Sequence, residues 1–379
     1  MQEMGAEINI NPTMLTWAIA RAGYVLNEFL ERFPNVKKWI EQIKKPTVKQ
    51  LEDFAKRVHI PFGYLFLQEP PKEQTPFPFF RTGNNHTHDV SINVYDTILI
   101  LQRRQDWLTD YLLENEELPL PFVGKFNSEV GFETIVKDIR ETLNLNPNWA
   151  KDFQTFEDTL SFITKKIEES GIIINFNGIV ENNTHRVIPV NECRGFVLVN
   201  EIVPFMFVNA GDAKAAQLFT IIHELAHIWL GESAGFDNQN LLPANNAIEK
   251  LCDQVAAEFL VPAISFNEIW ANSADMNSLA RYFKVSPIVI ARRAFDLGKM
   301  NKREFFQFYN QYMQGIKLKK ESQGSGGDFY ATARKRISVS FAAYVDQAVK
   351  QNKLLYRDAY KITGLRGDTY QNFVTKHLF

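Results

Sequence analysis

Residues 219–231, FTIIHELAHIWLG, place two histidines and a glutamate inside a run that is otherwise almost wholly apolar. An α-helix brings residues i and i+4 to one face, so His223 and His227 are predicted to point the same way, about 6 Å apart. Two neutral imidazoles in this arrangement can both bind one Zn²⁺ at about 2.1 Å. Burying these polar rings among apolar neighbours is costly unless something compensates their polarity. The sequence therefore predicts a metal site on a buried helix.

Glu224 follows the first histidine directly and cannot share its direction on the helix. We expect it to act as the general base on a zinc-bound water, because zinc lowers the pKa of such a water to about 7. An exposed helix can carry H-E-x-x-H by chance, but its flanks would then be polar rather than Phe219, Ile221 and Trp229. The apolar flanks favour a catalytic zinc site.

A catalytic zinc site needs three protein ligands. After His227 the sequence contains no histidine until His377, which argues against the metzincin spacing. A carboxylate from the helical segment NNAIEKLCDQVAAEFLVP (245–262) is the expected third ligand. Glu249 lies along one edge of the apolar stripe of this segment and Glu258 along the other. Spacing alone does not decide which edge faces the metal.

Two further residues of the same segment have expected roles. Asp253 follows Glu249 by four positions and could accept a hydrogen bond from the N–H of a ligand imidazole. Cys252 lies on the apolar stripe itself and is interpreted as a small core residue rather than a ligand. The segment thus offers a carboxylate ligand and a partner for a histidine on one helix edge.

Composition limits the classes of protein that the chain can represent. Its 379 residues are enough for two or three domains, and 45% are hydrophobic, which favours a folded chain with a sizeable core. The formal net charge of −2 gives no general basis for binding polyanions. Two cysteines, Cys193 and Cys252, are typical of a reducing compartment. With neither a signal-peptide pattern nor a long apolar run, we expect a soluble cytoplasmic protein that does not bind membranes.

The periodicity along the chain predicts an α+β fold that is mostly helical. Short helices are expected in 11–67, a proline-rich linker in 68–80, and a long helix over about 89–115. GIIINFNGIV (171–180) and RGFVLVNEIVPFMFVNAG (194–211) are typical of strands, the second broken like a hairpin near its middle. Helices dominate again from about 246, and SQGSGGDF (322–329) predicts a flexible break before a small helical tail.

Three stretches resemble the ImmA/IrrE family of zinc metallo-endopeptidases: 194–212, 219–233 and IEKLCDQVAAEFLVP (248–262). LTWAIARAG (15–23) through IPFGYLF (60–66) is similar to the XRE-type helix-turn-helix that many members carry. FPFFRT (77–82) resembles the motif that often follows it, and GGDFYATARKRIS (326–338) resembles the tail of long members. The sequence departs from the family pattern at Asp253, where Asn is common, and at Val255, where Phe is common.

The resemblance implies a domain order and a fold for each domain. Residues 1–70 would form an XRE-like helix-turn-helix domain, and residues 71–125 the proline-rich linker and long helix. Residues 126–270 would form a zinc metallopeptidase domain, gluzincin-like, with a small antiparallel sheet. Residues 271–379 would form a helical C-terminal region.

The resemblance also implies an activity and a ligand set. His223, His227 and Glu249 would bind Zn²⁺, and Glu224 would act as the base in a gluzincin-like site. The chain would be a zinc endopeptidase that regulates by cleaving a specific repressor or antitoxin-type protein. Long members of this type resemble proteins encoded beside toxin genes, so a toxin is a further candidate partner and a toxin–antitoxin role is expected.

Two features of the proposed cleft are weaker predictions from the residues alone. His185, in the loop NNTHRV (182–187), is a candidate for stabilising the oxyanion, although a surface histidine is the simpler interpretation. The strand RGFVLVN (194–200) could run along the cleft and pair with an extended substrate by β-augmentation. Neither feature follows from a motif.

The alternative hypothesis is a non-proteolytic DNA- or toxin-binding regulator, such as an antitoxin or transcription factor, with a structural or vestigial metal site. A short segment, 35–43, is left for a recognition helix, and residues 1–70 carry nine Lys and Arg against eight Asp and Glu. The resulting net charge of +1 gives little electrostatic attraction for the phosphates of DNA. DNA binding and protein docking both stay open for this domain.

A second stretch, SLARYFKVSPIVIARRAFDLG (278–298), also has a helix-turn-helix rhythm, with Arg292 and Arg293 on its second helix. We interpret it as a packing module that supports the catalytic domain rather than as a reader of DNA.

Overall fold

The computed structural model describes residues 7–71, 79–80, 91–236, 247–272, 275–320 and 336–378. The chain divides into two compact units. The first contains Met1–Pro76 and Asp89–Tyr95, and the second contains Phe77–His88 and Asp96–Phe379. The break SQGSGGDF and most of the linker 68–80 lie outside the described residues.

The first unit is a cluster of short helices. They are α1 (Pro12–Arg21), α2 (Leu26–Arg32), α3 (Pro34–Ile40) and α4 (Val48–Arg57), followed by a 3₁₀ turn at Phe62–Phe66. Asn11 caps α1 by accepting from the backbone N–H of Thr13, and Thr47 and Gln50 form a capping box on α4. Ile19, Phe29 and other apolar side chains form their common core. The prediction of short helices in 11–67 is confirmed, and its XRE-like character stays a prediction.

The other helices are α5 (Ile92–Glu114), α6 (Phe132–Thr142), α7 (Phe156–Glu169), α8 (Lys214–Leu230), α9 (Ala247–Leu260), α10 (Ala263–Asn272), α11 (Met276–Phe283), α12 (Pro287–Asp296), α13 (Lys302–Lys320), α14 (Val339–Lys350), α15 (Tyr356–Thr363) and α16 (Asp368–His377). The strands are β1 (Phe79–Phe80), β2 (Ile173–Asn177), β3 (Ile179–Val180), β4 (Asn183–Val187), β5 (Gly195–Leu198), β6 (Phe205–Asn209) and β7 (Ala234–Phe236). Within the described residues the fold is mostly helical with a small sheet, as predicted. None of the described helices combines the length and apolarity needed to cross a bilayer.

The main sheet of the second unit has the order β1-β7-β5-β6-β2 and is mixed. β5 pairs antiparallel with both β6 and β7, whereas β2 runs parallel to β6 and β1 runs parallel to β7. The predicted hairpin of β5 and β6 is confirmed, but the expectation of an antiparallel sheet is wrong. After β2 the chain passes through the separate β3–β4 hairpin and loop 188–194 before it enters β5. Because β5 then turns back into β6, strands β2 and β6 run in the same direction.

Helices cover both faces of this sheet. Alternate strand residues such as Val197 and Met206 join the core beneath α8, together with α6, α7 and α9. On the other face the ring of Phe205 meets the edge of Phe341 from α14, and Phe341 also contacts Trp107 of α5. The C-terminal helices are therefore a layer packed behind the sheet, not a separate tail.

Candidate metal centre

Helix α8 carries the motif through the centre of the second unit. Every residue from Gln217 to Leu230 is buried, and the helix ends at Gly231, whose left-handed backbone (φ 75°) closes it. His223 and Glu224 are both 0% exposed and His227 is 1% exposed. The predicted buried helix with polar groups on it is confirmed.

Helix α9 packs against α8 and brings Glu249 to the two imidazoles. The Nε2 atoms of His223 and His227 are 3.2 Å apart. One carboxylate oxygen of Glu249 lies 3.1 Å from the first Nε2, and the other oxygen lies 3.3 Å from the second. Three ligand atoms each about 2.1 Å from one tetrahedral ion are about 3.4 Å apart, so these separations suit a single zinc.

The same packing decides which edge of α9 faces the motif. Glu258, on the other edge, forms an ion pair with Arg293 of α12 and accepts a hydrogen bond from the backbone N–H of Ala263. It therefore points away from the histidines. Sequence spacing left both edges open, because the rotation of one helix against another is set by tertiary packing.

Asp253 lies one turn beyond Glu249 and contacts the first histidine from behind. Its Oδ1 is 3.1 Å from Nδ1 of His223, the ring nitrogen opposite the one that faces Glu249. Burial alone would lower the pKa of His223, but hydrogen bonds with Asp253 and Glu249 outweigh it and raise that pKa to about 10. Burial likewise opposes the ionised form of Glu249, yet hydrogen bonds with His223 and His227 hold its pKa below the usual range. The protonation of each of these side chains therefore depends on that of its neighbours, because they contact one another directly.

Glu224 is buried beside this group and has no hydrogen-bond partner in the described part of the chain. Neither of its carboxylate oxygens has a hydrogen bond among the described residues. Burial raises its pKa well above the usual value, His223 acts in the opposite direction, and Glu249 raises it further. A carboxylate that can take up a proton and is not tied to other protein groups is the arrangement a general base requires.

Gly195, at the start of β5, makes room for this carboxylate and was missed in the sequence. A Cβ atom at this position would lie 2.5 Å from Cγ2 of Thr220, 2.9 Å from the backbone oxygen of Phe207 and 3.3 Å from Oε1 of Glu224. Only glycine allows the strand to approach α8 so closely. A glycine inside a strand pattern is the signal that could have identified it.

Cys252 also lies near the imidazoles. Its sulfur and one nitrogen of each histidine all lie within 4.8 Å of one another, and the side chain is fully buried. Burial raises the pKa of its thiol, and nearby carboxylates including Glu249 and Asp253 raise it further. A sulfur and a nitrogen on one tetrahedral zinc are roughly 3.6 Å apart. The carboxylate oxygens of Glu249 lie 3.1 and 3.3 Å from the imidazole nitrogens, close to the spacing that a shared ion requires.

His185 is not brought to this group. It lies on β4 with an exposed side chain, in the two-stranded sheet that is separate from the main one. That hairpin is held on α5 by an ion pair of 2.6 Å between Arg186 and Asp96. The simpler interpretation of a surface histidine agrees with this position.

The expectation that RGFVLVN offers an edge to a substrate is wrong. β5 is an internal strand whose residues pair with β6 on one side and with β7 on the other. Its backbone groups are already used in the sheet, so no extended peptide can add to it there.

The stretch 278–298 does form two helices, α11 and α12, joined at 284–286. Its two arginines are engaged within the protein: Arg293 is buried against Glu258 and Val261, and Arg292 pairs with Asp296 at 2.9 Å. This agrees with a packing module.

The donor set fits a zinc ion by its chemistry as well as its spacing. Two imidazoles and one carboxylate are a common ligand set of catalytic zinc. Three buried polar atoms around them, both oxygens of Glu224 and Nδ1 of His227, have no hydrogen bond among the described residues. Unpaired buried polar atoms are costly and point to a missing charged or polar partner.

Comparison with known families finds a match over the part of the chain that contains this site. Residues 168–295 match the family model for the IrrE N-terminal-like domain, Peptidase_M78. The matched stretch contains the strands β2, β5, β6 and β7 together with α8 and α9. This match supports the predicted resemblance to the ImmA/IrrE family and suggests a regulator of the metallopeptidase type. Residues 337–376 match a second model, a domain of unknown function (DUF8813), and no curated protein matches the chain.

Proposed function

We propose that the chain is a zinc-dependent endopeptidase that regulates by cutting one specific protein. The observation that carries this proposal is the convergence of three potential ligand side chains, whose facing atoms lie 3.1–3.3 Å apart, beside a buried glutamate that has no hydrogen bond among the described residues. His223, His227 and Glu249 would hold the ion. Asp253 would fix the ring of His223 by accepting its Nδ1 proton in a hydrogen bond.

Zinc, when bound, would polarise a water molecule and the carbonyl of the scissile peptide. Glu224 would remove a proton from the attacking water at one carboxylate oxygen and then deliver it to the nitrogen of the leaving amine. Burial and the neighbouring Glu249 raise the pKa of Glu224, which would help this carboxylate to hold the proton between the two transfers. The apolar surroundings of α8 would exclude bulk water from this transfer.

The family resemblance supports a regulatory protein as the substrate, of the repressor or antitoxin type, and a toxin as a further partner. Recognition would take place outside the ligand group, because the residues around it are buried and leave little surface for selection. We propose that the first unit docks this protein. We also propose that the protein acts in the cytoplasm, which agrees with its two buried free cysteines.

The test is to compare the wild type with Glu224→Gln and His223→Ala. Elemental analysis should give about one zinc per chain for the wild type and Glu224→Gln, and a loss of zinc for His223→Ala. Mass spectrometry of new protein N-termini in cells should show one or a few products with the wild type alone. Zinc-free wild type would overturn the metal site, and identical products with Glu224→Gln would overturn the role of this glutamate.

A non-proteolytic regulator that binds DNA or a toxin is the second candidate. Exposed lysines on and just after α3, namely Lys37, Lys38, Lys44 and Lys45, favour it. A gel-shift titration on the promoter of its own gene should then show binding that weakens steeply with salt. Substituting Lys37 and Lys38 with Ala should weaken binding and reduce the salt slope, and the absence of any shift would argue for protein docking.

A further inference from the structure

A small polar cavity lies on the face of the main sheet opposite α8. Its volume is about 20 Å³, enough for one or two particles the size of water. Its lining comes from α5, from β2 and the β3–β4 hairpin, and from the C-terminal region, and includes Thr97, Arg104, Asn175, Glu181, Arg336 and Thr363. The cavity therefore joins three separate parts of the second unit.

The guanidinium of Arg104 is buried in this cavity wall and forms no ion pair with the residues that the structure describes. The residue is 5% exposed, and no carboxylate among the described residues lies within 4 Å of it. Its Nε donates to the backbone oxygen of Ile362 at 2.8 Å, and its remaining N–H groups have no hydrogen bond there. Burial lowers its pKa to about 10, and Glu181 acts in the opposite direction from a greater distance. A buried cation of this kind requires compensation.

Two more donors meet at the same place. Asn175 is 2% exposed, and neither its Nδ2 nor its Oδ1 has a hydrogen bond among the described residues. Arg336 donates to Oδ1 of Asn182 at 3.2 Å, while its buried Nε has no partner in the described part of the chain. The charged residues of the lining are Arg104, Arg336 and Glu181, so the formal charge of the lining is +1.

We infer that the cavity is a binding site for one small monovalent anion of about the size of chloride. Such an ion would neutralise the excess charge and accept hydrogen bonds from Arg104, Asn175 and Arg336 together. Because Arg336 precedes α14 while Arg104 and Asn175 belong to α5 and β2, the ion fastens the C-terminal layer to the sheet. Its binding free energy is thus added to the stability of the second unit.

The first test uses the wild type and bromide as the probe. At constant ionic strength and a fixed excess of zinc, replacing sodium gluconate by sodium bromide should raise Tm by a few degrees and then saturate, as expected for one site. Crystals grown in bromide should show one anomalous peak between Arg104, Asn175 and Arg336. Equal Tm in the two salts together with ordinary water density at that place would overturn the inference.

Matched variants on α5 separate this site from general salt effects. Arg104→Met should abolish the bromide dependence of Tm, whereas Arg103→Met removes the same charge from the exposed neighbouring position and should keep it. Asn175→Leu provides a second test in case Arg104→Met does not fold. It removes only the amide from the cavity and should weaken bromide binding at least several-fold. A bromide response that survives both Arg104→Met and Asn175→Leu would place the ion elsewhere.

Discussion

Nδ1 of His223 lies 3.1 Å from a carboxylate oxygen of Asp253, while Nε2 of the same ring faces Glu249 at an equal distance. Both nitrogens of one imidazole are thus engaged by a single helix, α9. A ring that is held at both nitrogens keeps its orientation before any metal arrives. The two carboxylates accordingly have different tasks although they are one helical turn apart.

Replacing Asp253 with Ala should weaken zinc binding by about 10- to 100-fold, because His223 would lose the acceptor that orients it. The affinity can be measured by competition with a chromophoric chelator. Gln254→Ala, at the exposed neighbouring position on α9, is the control and should bind zinc like the wild type. Equal affinities for the two variants would show that the 3.1 Å contact has no orienting role.

Removing zinc with a chelator should destabilise the second unit, since the metal binds the folded state only. At a free zinc concentration about 1,000 times Kd, the lost contribution is about 4 kcal/mol and should appear as a lower Tm that zinc restores. Calorimetry with and without chelator measures it. His223→Ala should show no such response, and a wild type whose Tm ignores zinc would contradict the prediction.

Gly195→Ala should reduce the free energy of unfolding by about 1–3 kcal/mol, because the added methyl group overlaps Thr220 and the backbone oxygen of Phe207. Urea unfolding measures the change. Thr220→Ser removes the Cγ2 atom that lies closest to the added methyl group, so the double variant should recover part of the loss. Additive effects of the two substitutions would mean that these side chains do not meet.

Helix α8 and its pair of histidines were predictable from the sequence because the pattern that indicates them lies within a few consecutive residues. The i, i+4 spacing of His223 and His227 and their apolar flanks suffice for it. The choice between Glu249 and Glu258 was not predictable from spacing, because it depends on how α9 is rotated against α8. The parallel pairing of β2 with β6 was missed for a related reason. A hairpin is indicated by two strand patterns separated by a short turn, whereas the pairing of 173–177 with 205–209 joins segments about 30 residues apart and leaves no local pattern.

Arg293→Met should lower the free energy of unfolding by about 3–5 kcal/mol, because it leaves the carboxylate of Glu258 without its buried partner. Arg292→Met is the matched control one position earlier. Its ion pair with Asp296 is more exposed, so the loss there should stay below about 1 kcal/mol. Urea unfolding of both variants tests the difference, and equal losses would contradict it.

Phe341→Ala should lower the free energy of unfolding by about 3–5 kcal/mol, since this ring is fully buried between Trp107 and Phe205. Leu355→Ala, in the same C-terminal region but 59% exposed, should stay within about 0.5 kcal/mol of the wild type. Denaturation followed by tryptophan fluorescence measures both. A small effect of Phe341→Ala would mean that the C-terminal helices are dispensable to the sheet.

Helix α9 is held at its far end by groups that never touch the imidazoles. Arg140 donates to the backbone oxygens of Glu258 and Phe259, and Arg293 pairs with the Glu258 side chain. A slip of one residue would turn the helix by about 100° and carry Glu249 out of reach. The clamp lies nine positions, about 14 Å, along the axis from that carboxylate. A change that displaces α12 should therefore shift Glu249 relative to the two imidazoles, although the change itself lies far from them.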